Sequence, residues 1–309
     1  MNKTINTCYL CGSKSVHHVF TKLSHEIWLC DNCHLYTLKF DYDYDKFIHD
    51  YYQKGYFTGN KKLRAYADYE GDKAVISLNM RNYLRKIRSI VGARRASPVS
   101  TKNAPAHRPK LLDCGCAMGF FMEEANRMGF DAYGVDISKY AAERAQYLFD
   151  GKVKLGPVEK VDKIFTKEKF DVITMFDLIE HLKDPILVIK KLKKLLNNDG
   201  IIVLQTGDVS SNWARRQGQN WHFFAPPQHL HFFSRDTITK MLESAGFKVI
   251  KIETEGKWVS LRYLFHMMRY ANKDRIGDFF YKLTHKNIIG KIPILFKFGD
   301  NMIVFAKKI

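Results

Sequence analysis

Between Lys73 and Leu112 the chain has no acidic residue, while ten lysines and arginines fall in that interval. Such a field attracts polyanions, whether nucleic acid, anionic headgroups or pyrophosphate-linked carriers; equally, it describes a solvated helix face followed by a basic linker. The whole chain carries a net charge of +18. No unbroken apolar run approaches the roughly 18 residues of a spanning helix. The opening MNKTINTCYLCGSK lacks an apolar run of signal length. The expectation is a cytoplasmic chain, with peripheral contact to an anionic membrane left open. No cysteine follows Cys116, and the chain's six cysteines fit reduced thiols better than a disulfide framework.

Four of those thiols are arranged in pairs. Cys8-x-x-Cys11 and Cys30-x-x-Cys33 are two knuckles eighteen residues apart, the spacing of a four-thiolate zinc ribbon. Gly12 follows the first pair, where a tight turn lets backbone amides point at sulfur. Four thiolates complete a tetrahedron, so His25 and His34 are expected to be bystanders and the Zn2+ structural.

From Lys110 onward, short apolar runs alternate with helical patterns, which implies an α/β fold with a doubly wound sheet. The first run enters a glycine-bearing loop, LLDCGCAMG from Leu111 to Gly119, and a second run, AYGVD, ends at Asp136. A glycine turn after strand one lets backbone approach a ligand, and an acid after strand two can grip a ribose diol. Ser138 and Asp184-Pro185 are placed to start helices, the second continuing to Asn197, and Gly200 to release the chain into a fifth strand, Ile201 to Gln205. Phe247 to Ile252 and Met302 to Ala306 read as the last two of seven strands.

Asp113-x-Gly115-x-Ala117-x-Gly119 resembles the first motif of class I S-adenosylmethionine-dependent methyltransferases, with alanine in place of the middle glycine. The resemblance implies a seven-stranded Rossmann-like sheet carrying a small N-terminal zinc ribbon. It also implies a cofactor site in which Asp113 meets the methionine end, Gly115 and Gly119 let the chain pass, and Asp136 binds the ribose. Cys116, Ala117 and Ile137 flank these positions. Alanine at 117 denies the loop any conformation that only glycine reaches. Phe170 to Pro185, FDVITMFDLIEHLKDP, is similar to the fourth-strand region of a small-molecule and glycan branch of the superfamily. That places Phe176 and Asp177 beside the cofactor and His181 near the acceptor. Glu159 falls near the adenine position, and Tyr66 and Tyr69 match aromatics that close over the cofactor.

His229 to Ser234, HLHFFS, also resembles this branch, and Trp213, Trp221 and Pro226-Pro227 before it are expected to wall the acceptor pocket. His229 is the first candidate for a general base, with His181 and His231 as others; His231 faces the opposite way if the segment is extended. Leu261, Leu264, Phe265 and Met268 give an apolar helical stripe within a C-terminal segment, about 256–298, that suits a lid, a dimer face or a membrane surface. The organisation expected is a ribbon at 1–40, an aromatic linker and entry helix at 41–91, a flexible basic insertion at 92–109 and the methyltransferase domain at 110–309.

The acceptor expected is a sugar, a lipid-linked glycan intermediate or another small metabolite, methylated on oxygen in preference to carbon. The alternatives are an RNA methyltransferase reading nucleic acid through its ribbon and a cofactor-binding scaffold without activity. Strand four ends in FDLI and lacks the N/D-P-P-Y/F tetrad used on base nitrogens. The sequence leaves the oligomeric state undefined.

Overall fold

The computed structural model describes residues 7–40, 42–58, 68–95, 108–272, 275–284 and 287–309. Three short strands come first, β1 (Val16–Lys22), β2 (His25–Cys30) and β3 (Tyr36–Leu38), then helices α1 (Tyr44–Tyr51), α2 (Lys54–Phe57) and α3 (Lys73–Arg95). The α/β core follows as β4 (Lys110–Cys114), α4 (Phe120–Arg127), β5 (Asp131–Asp136), α5 (Lys139–Leu148), β6 (Val153–Leu155), α6 (Val161–Ile164), β7 (Phe170–Phe176), α7 (Pro185–Leu195) and β8 (Leu196–Gly207). The chain finishes with α8 (Asn212–Gln217), β9 (His231–Phe232), α9 (Arg235–Ser244), β10 (Phe247–Ser260), α10 (Leu261–Asn272), α11 (Arg275–Thr284) and β11 (Pro293–Lys308).

Seven strands form one sheet in the order β10-β11-β8-β7-β4-β5-β6. The order reverses beside β4, so its carboxyl end faces a crevice between outgoing crossovers, the place where such sheets bind ligands. β11 runs antiparallel to both neighbours, β8 and β10. The central strands are covered on both faces, and their side chains are correspondingly apolar: Val172, Ile173 and Met175 of β7 and Ile201 to Leu204 of β8 are all buried.

Local sequence signals set most boundaries. Ser138 accepts a hydrogen bond from Ala141 N, Asp184 from Leu187 N, and Ser234 forms a capping box with Thr237. Helix α7 stops at Leu195 and β8 begins at Leu196, earlier than Asn197 and Gly200 suggest, because the first residues of β8 are drawn into the sheet, where Leu196 pairs with Phe170. The last two strands are longer than the apolar runs alone indicate. β10 and β11 extend beyond the sheet as an antiparallel pair in which Trp258 pairs Leu295 and Ser260 pairs Pro293. Backbone pairing carries that extension where side-chain alternation is weak. The entry helix runs through Arg95, four residues past Val91, and the rest of the basic insertion, 96–107, lies outside the described residues.

The N-terminal module does not stand apart from the core. β3 pairs with β9, placing Tyr36 against Phe232 and Thr37 against His231, so the ribbon sheet reads β1-β2-β3-β9. Its last strand comes from the segment that follows His229. Ile27 and Leu38 of the ribbon share one apolar cluster with Trp221, Phe224, Leu230 and Phe232. Tyr9 adds a polar tie: its hydroxyl accepts from Ile186 N at 2.7 Å and donates to the Asp184 carboxylate at the start of α7.

Candidate active-site cleft

A cleft of about 1830 Å³ opens at the carboxyl ends of β4, β5, β7 and β8. Pockets of roughly 300–1,000 Å³ hold a drug-sized ligand, so this space accommodates a nucleoside cofactor and an acceptor together. Asp113, Gly115, Cys116, Ala117, Asp136, Ile137, Glu159, Phe176 and Asp177 all line it. One expected residue does not. Gly119 begins α4 at φ +79°, and a Cβ there would stand 2.7 Å from the Phe149 ring, so it packs closely beneath the loop.

The loop is held by Asp136. One carboxylate oxygen accepts from Ala117 N at 2.7 Å and the other from Ser138 N at 2.8 Å. Both oxygens keep lone pairs for further donors. Ala117 takes the left-handed conformation at φ +46°, which alanine reaches at a cost of about 1–2 kcal/mol. The substitution therefore strains the loop without reshaping it. Gly115, at φ +76°, faces the Leu178 side chain. Cys116 is buried beneath the loop against Gly134, where an added Cβ would be 2.6 Å from its sulfur.

Asp113, Asp136, Asp177 and Glu180 are among the carboxylic acids that line the same space. Burial, with Asp136 nearby, pushes Asp113 up to about 7, although Thr174 Oγ1 donates to it at 2.7 Å. Burial also raises Asp136. Burial and the neighbouring Asp177 push Glu180 up to about 8. Glu180 Oε2 accepts from Thr206 at 3.0 Å, while Oε1 is buried with no partner among the described residues. Carboxylates crowded in a dry site favour a cation. Lys257 of β10 supplies one fixed countercharge, 2.8 Å from Asp177 Oδ2. Asp177 itself holds a left-handed turn at φ +48°, uncommon for a non-glycine.

His181 and His229 face each other in the cleft, ring centroids 4.7 Å apart and edge to face. His229 Nδ1 lies 2.7 Å from Phe223 O, and His181 Nδ1 lies 2.9 Å from Gln228 O. A carbonyl only accepts, so each Nδ1 carries the proton and each Nε2 the lone pair. Burial holds His181 down at about 4. Burial and the facing His181 hold His229 well below its ordinary value. Both rings are neutral acceptors at neutral pH.

His231 takes the opposite side of the chain and does not line the cleft. Its ring is buried against Tyr9, centroids 5.1 Å apart, and near Phe233. The alternation of an extended segment removes it from the candidates for a base. Trp221 is corrected in the same way: it is fully buried, donating from Nε1 to Asp300 at 2.7 Å, in the cluster that joins ribbon and core. Trp213 does line the cleft, stacked on Phe298 at 4.5 Å. Tyr69 lines it as well, stacked on Phe120, whereas Tyr66 lies outside the described residues.

Several lining residues gave no sequence signal. Tyr44, Tyr51 and Tyr52 come from the aromatic stretch before the entry helix and clamp the His181 loop. The Tyr44 hydroxyl lies 2.7 Å from His181 O and 2.9 Å from Gln228 O, Tyr52 approaches His181 Nδ1 at 3.2 Å, and Gln228 donates to the Tyr51 hydroxyl. Lys257 sits eighty residues from Asp177, and only the fold brings the two together.

The four ribbon thiols converge as well. Their sulfurs lie within 4.8 Å of one another, with Cys8 to Cys33 at 3.4 Å and Cys11 to Cys30 at 3.6 Å. Zinc–sulfur bonds of about 2.3 Å in a tetrahedron place sulfurs roughly 3.8 Å apart, so the set fits a zinc ion. Gly12 at φ +71° and His34 at φ +61° turn the two knuckles alike. His34 therefore acts through its backbone.

A sheet of this order, a glycine-bearing loop after β4 and the acid at the end of β5 that holds it, Asp136, define a class I S-adenosylmethionine-dependent methyltransferase. The family model for the methyltransferase domain matches residues 80–252, and the chain belongs to that family. Among curated proteins it is similar to the ubiquinone biosynthesis O-methyltransferases of Pelagibacter ubique, 27% identical over 49% of this chain and 71% of the relative, and of Bradyrhizobium diazoefficiens, 24% identical over 48% and 64%. That of Actinobacillus pleuropneumoniae is 30% identical over 31% of this chain and 45% of the relative. The chain thus spans from under half to about seven tenths of the length of these relatives. Among solved structures, the magnesium protoporphyrin IX methyltransferase of Synechocystis PCC 6803 with bound SAH superposes with a TM-score of 0.51 at 13% identity, covering 86% of this chain and 100% of that one. The plantazolicin methyltransferase BamL gives 0.51 at 13%, covering 86% and 99%. At that identity the likeness is one of fold.

Proposed function

We propose that the protein methylates an oxygen of a small-molecule acceptor, with His229 as the general base and His181 beside it. The observation that carries this reading is that the Asp136-held loop and the two Nε2 lone pairs open into one cleft. Asp113, Gly115, Cys116, Ala117, Asp136, Ile137, Glu159, Phe176 and Asp177 would hold the cofactor. When bound, S-adenosylmethionine supplies an electrophilic methyl group on a sulfonium. Asp136 would receive the ribose hydroxyls, and the other acids would favour the positive charge. His229 takes the proton from the acceptor hydroxyl, with Nδ1 fixed by Phe223 O so that Nε2 points at its task.

The names of the curated relatives support oxygen as the acceptor atom. Trp213, Tyr52, Trp258 and Phe298 line the acceptor side, and such faces suit stacking against a sugar or another ring-bearing metabolite. The acceptor class proposed is a sugar, a lipid-linked glycan intermediate or a related small metabolite. Incubation of the purified protein with labelled methyl donor and fractionated extract tests this. Label is expected in glycan, lipid or small-metabolite fractions; label confined to RNA would overturn the acceptor class.

The ribbon would be closed by zinc on Cys8, Cys11, Cys30 and Cys33, a site with no open position for chemistry. Such sites contribute about 10–16 kcal/mol in isolated zinc-finger peptides. Metal analysis is therefore expected to find one zinc per chain. Chelation should unprotect the amides of β1 to β3 to hydrogen exchange and, through the β3–β9 pairing, those around His229. Metal-free protein with unchanged exchange in these strands would reject the zinc assignment.

A further inference from the structure

The chain leaves an apolar surface uncovered in the C-terminal segment, other residues of which line the cleft. Ile288 is 84% exposed, Phe279 63% and Leu283 56%, with Ile289 and Ile292 also exposed in the turn that leads into β11. These are large side chains concentrated within fourteen residues of chain, unlike the singly scattered hydrophobics of an ordinary surface. Lysines are interleaved with them: Lys291 and Lys297 are exposed in the same stretch. Between Gly256 and Gly299 the sequence holds nine lysines and arginines against two aspartates.

The surface belongs to a braced part of the molecule. Arg262 of α10 is buried and bonds Asp72 Oδ1 at 2.9 Å and Asp68 Oδ2 at 2.9 Å, fastening α10 to the start of the entry helix. The same segment also reaches the cleft: Met267 and Met268 of α10 and Phe296 and Phe298 of β11 line it. In β11, Phe296 and Phe298 contribute to the cleft while exposed Leu295 and Lys297 alternate with them. No described helix is long and apolar enough to cross a membrane.

We propose that this surface, centred on Leu283, Ile288, Ile289 and Ile292 with Lys291 and Lys297, docks on an anionic lipid bilayer. Aliphatic side chains mixed with lysine match the chemistry of a headgroup boundary, where apolar groups enter the acyl region and the ammonium groups meet lipid phosphates. A nucleic acid would gain nothing from exposed isoleucine and leucine. A second copy of the chain would have to bring its own lysines against these, since the surface is basic throughout. The proposal goes beyond the methyl-transfer reading and does not depend on it; together the two would bring a segment that lines the cleft to the membrane surface, where a lipid-carried acceptor enters.

Sedimentation of the full chain with vesicles tests it, using phosphatidylcholine alone or mixed with phosphatidylglycerol. Binding is expected to the mixed vesicles at low salt and to fall with added salt or without the anionic lipid. Lys291→Ser/Lys297→Ser should weaken partitioning roughly thirtyfold, and Ile288→Asp/Ile289→Asp should abolish it. Both pairs are exposed, so unchanged melting is expected and separates lost docking from lost folding. Absence of binding to the mixed vesicles overturns the proposal. Equal binding by both variants overturns it too, assigning the attraction to the basic stretch after Lys73. A dimer that Ile288→Asp/Ile289→Asp dissolves, in a protein that ignores vesicles, gives the surface to a second copy. None of these results depends on donor or acceptor, so failure here leaves the methyl-transfer reading to its own assay.

Discussion

Asp136→Ala is expected to weaken S-adenosylmethionine binding by about a hundredfold or more. A carboxylate that accepts two ribose hydroxyls makes two charge-assisted hydrogen bonds, each worth roughly 1.5–3 kcal/mol, and every 1.4 kcal/mol is a factor of ten. The loss has a second source in this structure. Asp136 also ties Ala117 N and Ser138 N, so alanine strands two amides and frees a loop already strained at Ala117. Asp136→Asn should not rescue, because a side-chain amide opposes one of those N–H groups with a donor of its own. Titration calorimetry of wild type and both variants decides it. An Asp136→Ala protein of unchanged affinity would remove Asp136 from the cofactor site.

His229→Ala is expected to lower kcat by about 10²- to 10⁴-fold, the usual worth of a positioned general base, with donor affinity unchanged. The pH profile separates catalysis from packing. A base works in its neutral form, which is populated above its pKa; burial lowers both histidines, His181 to about 4. Wild-type turnover should therefore stay level as pH falls past 6.5, the ordinary histidine value, and decline only well below it. The residual activity of His229→Ala should instead rise with pH as the acceptor ionises without help. A wild-type acid limb centred near 6.5 would mean that neither buried ring is the base. An unchanged kcat in His229→Ala would exclude that residue.

The loop that lines the cleft beside β4 and β5 was largely legible in the sequence because its turns are local. Asp113 to Gly119 and Asp136 sit at the ends of apolar runs short enough to read as strands, and the turn between them needs residues of a recognisable kind. Even there, Gly119 packs against Phe149 at the start of α4, and motif spacing marks a glycine without saying which neighbour lies against it. The histidine side of the cleft was less legible because several chain segments meet there. Tyr44, Tyr51 and Tyr52, Gln228 and Lys257 converge only after the sheet is built, and nothing in their own surroundings announces it. The two histidines of HLHFFS show the limit well. Alternation predicts that His229 and His231 oppose each other, but only the fold reveals that the Tyr9 side is the buried one.

The pairing of β3 with β9 sets how this chain could have arisen and how it can be altered. A zinc ribbon that merely preceded the enzyme could be lost or exchanged between proteins as a cassette. Here a strand from beyond the catalytic sheet completes the ribbon, two residues from His229, and the ribbon's Ile27 and Leu38 cover Trp221. Removing the first forty residues would leave an open strand edge and an uncovered tryptophan on the wall that fixes the histidines. A change in either part is therefore transmitted to the other through one shared strand and one shared apolar cluster.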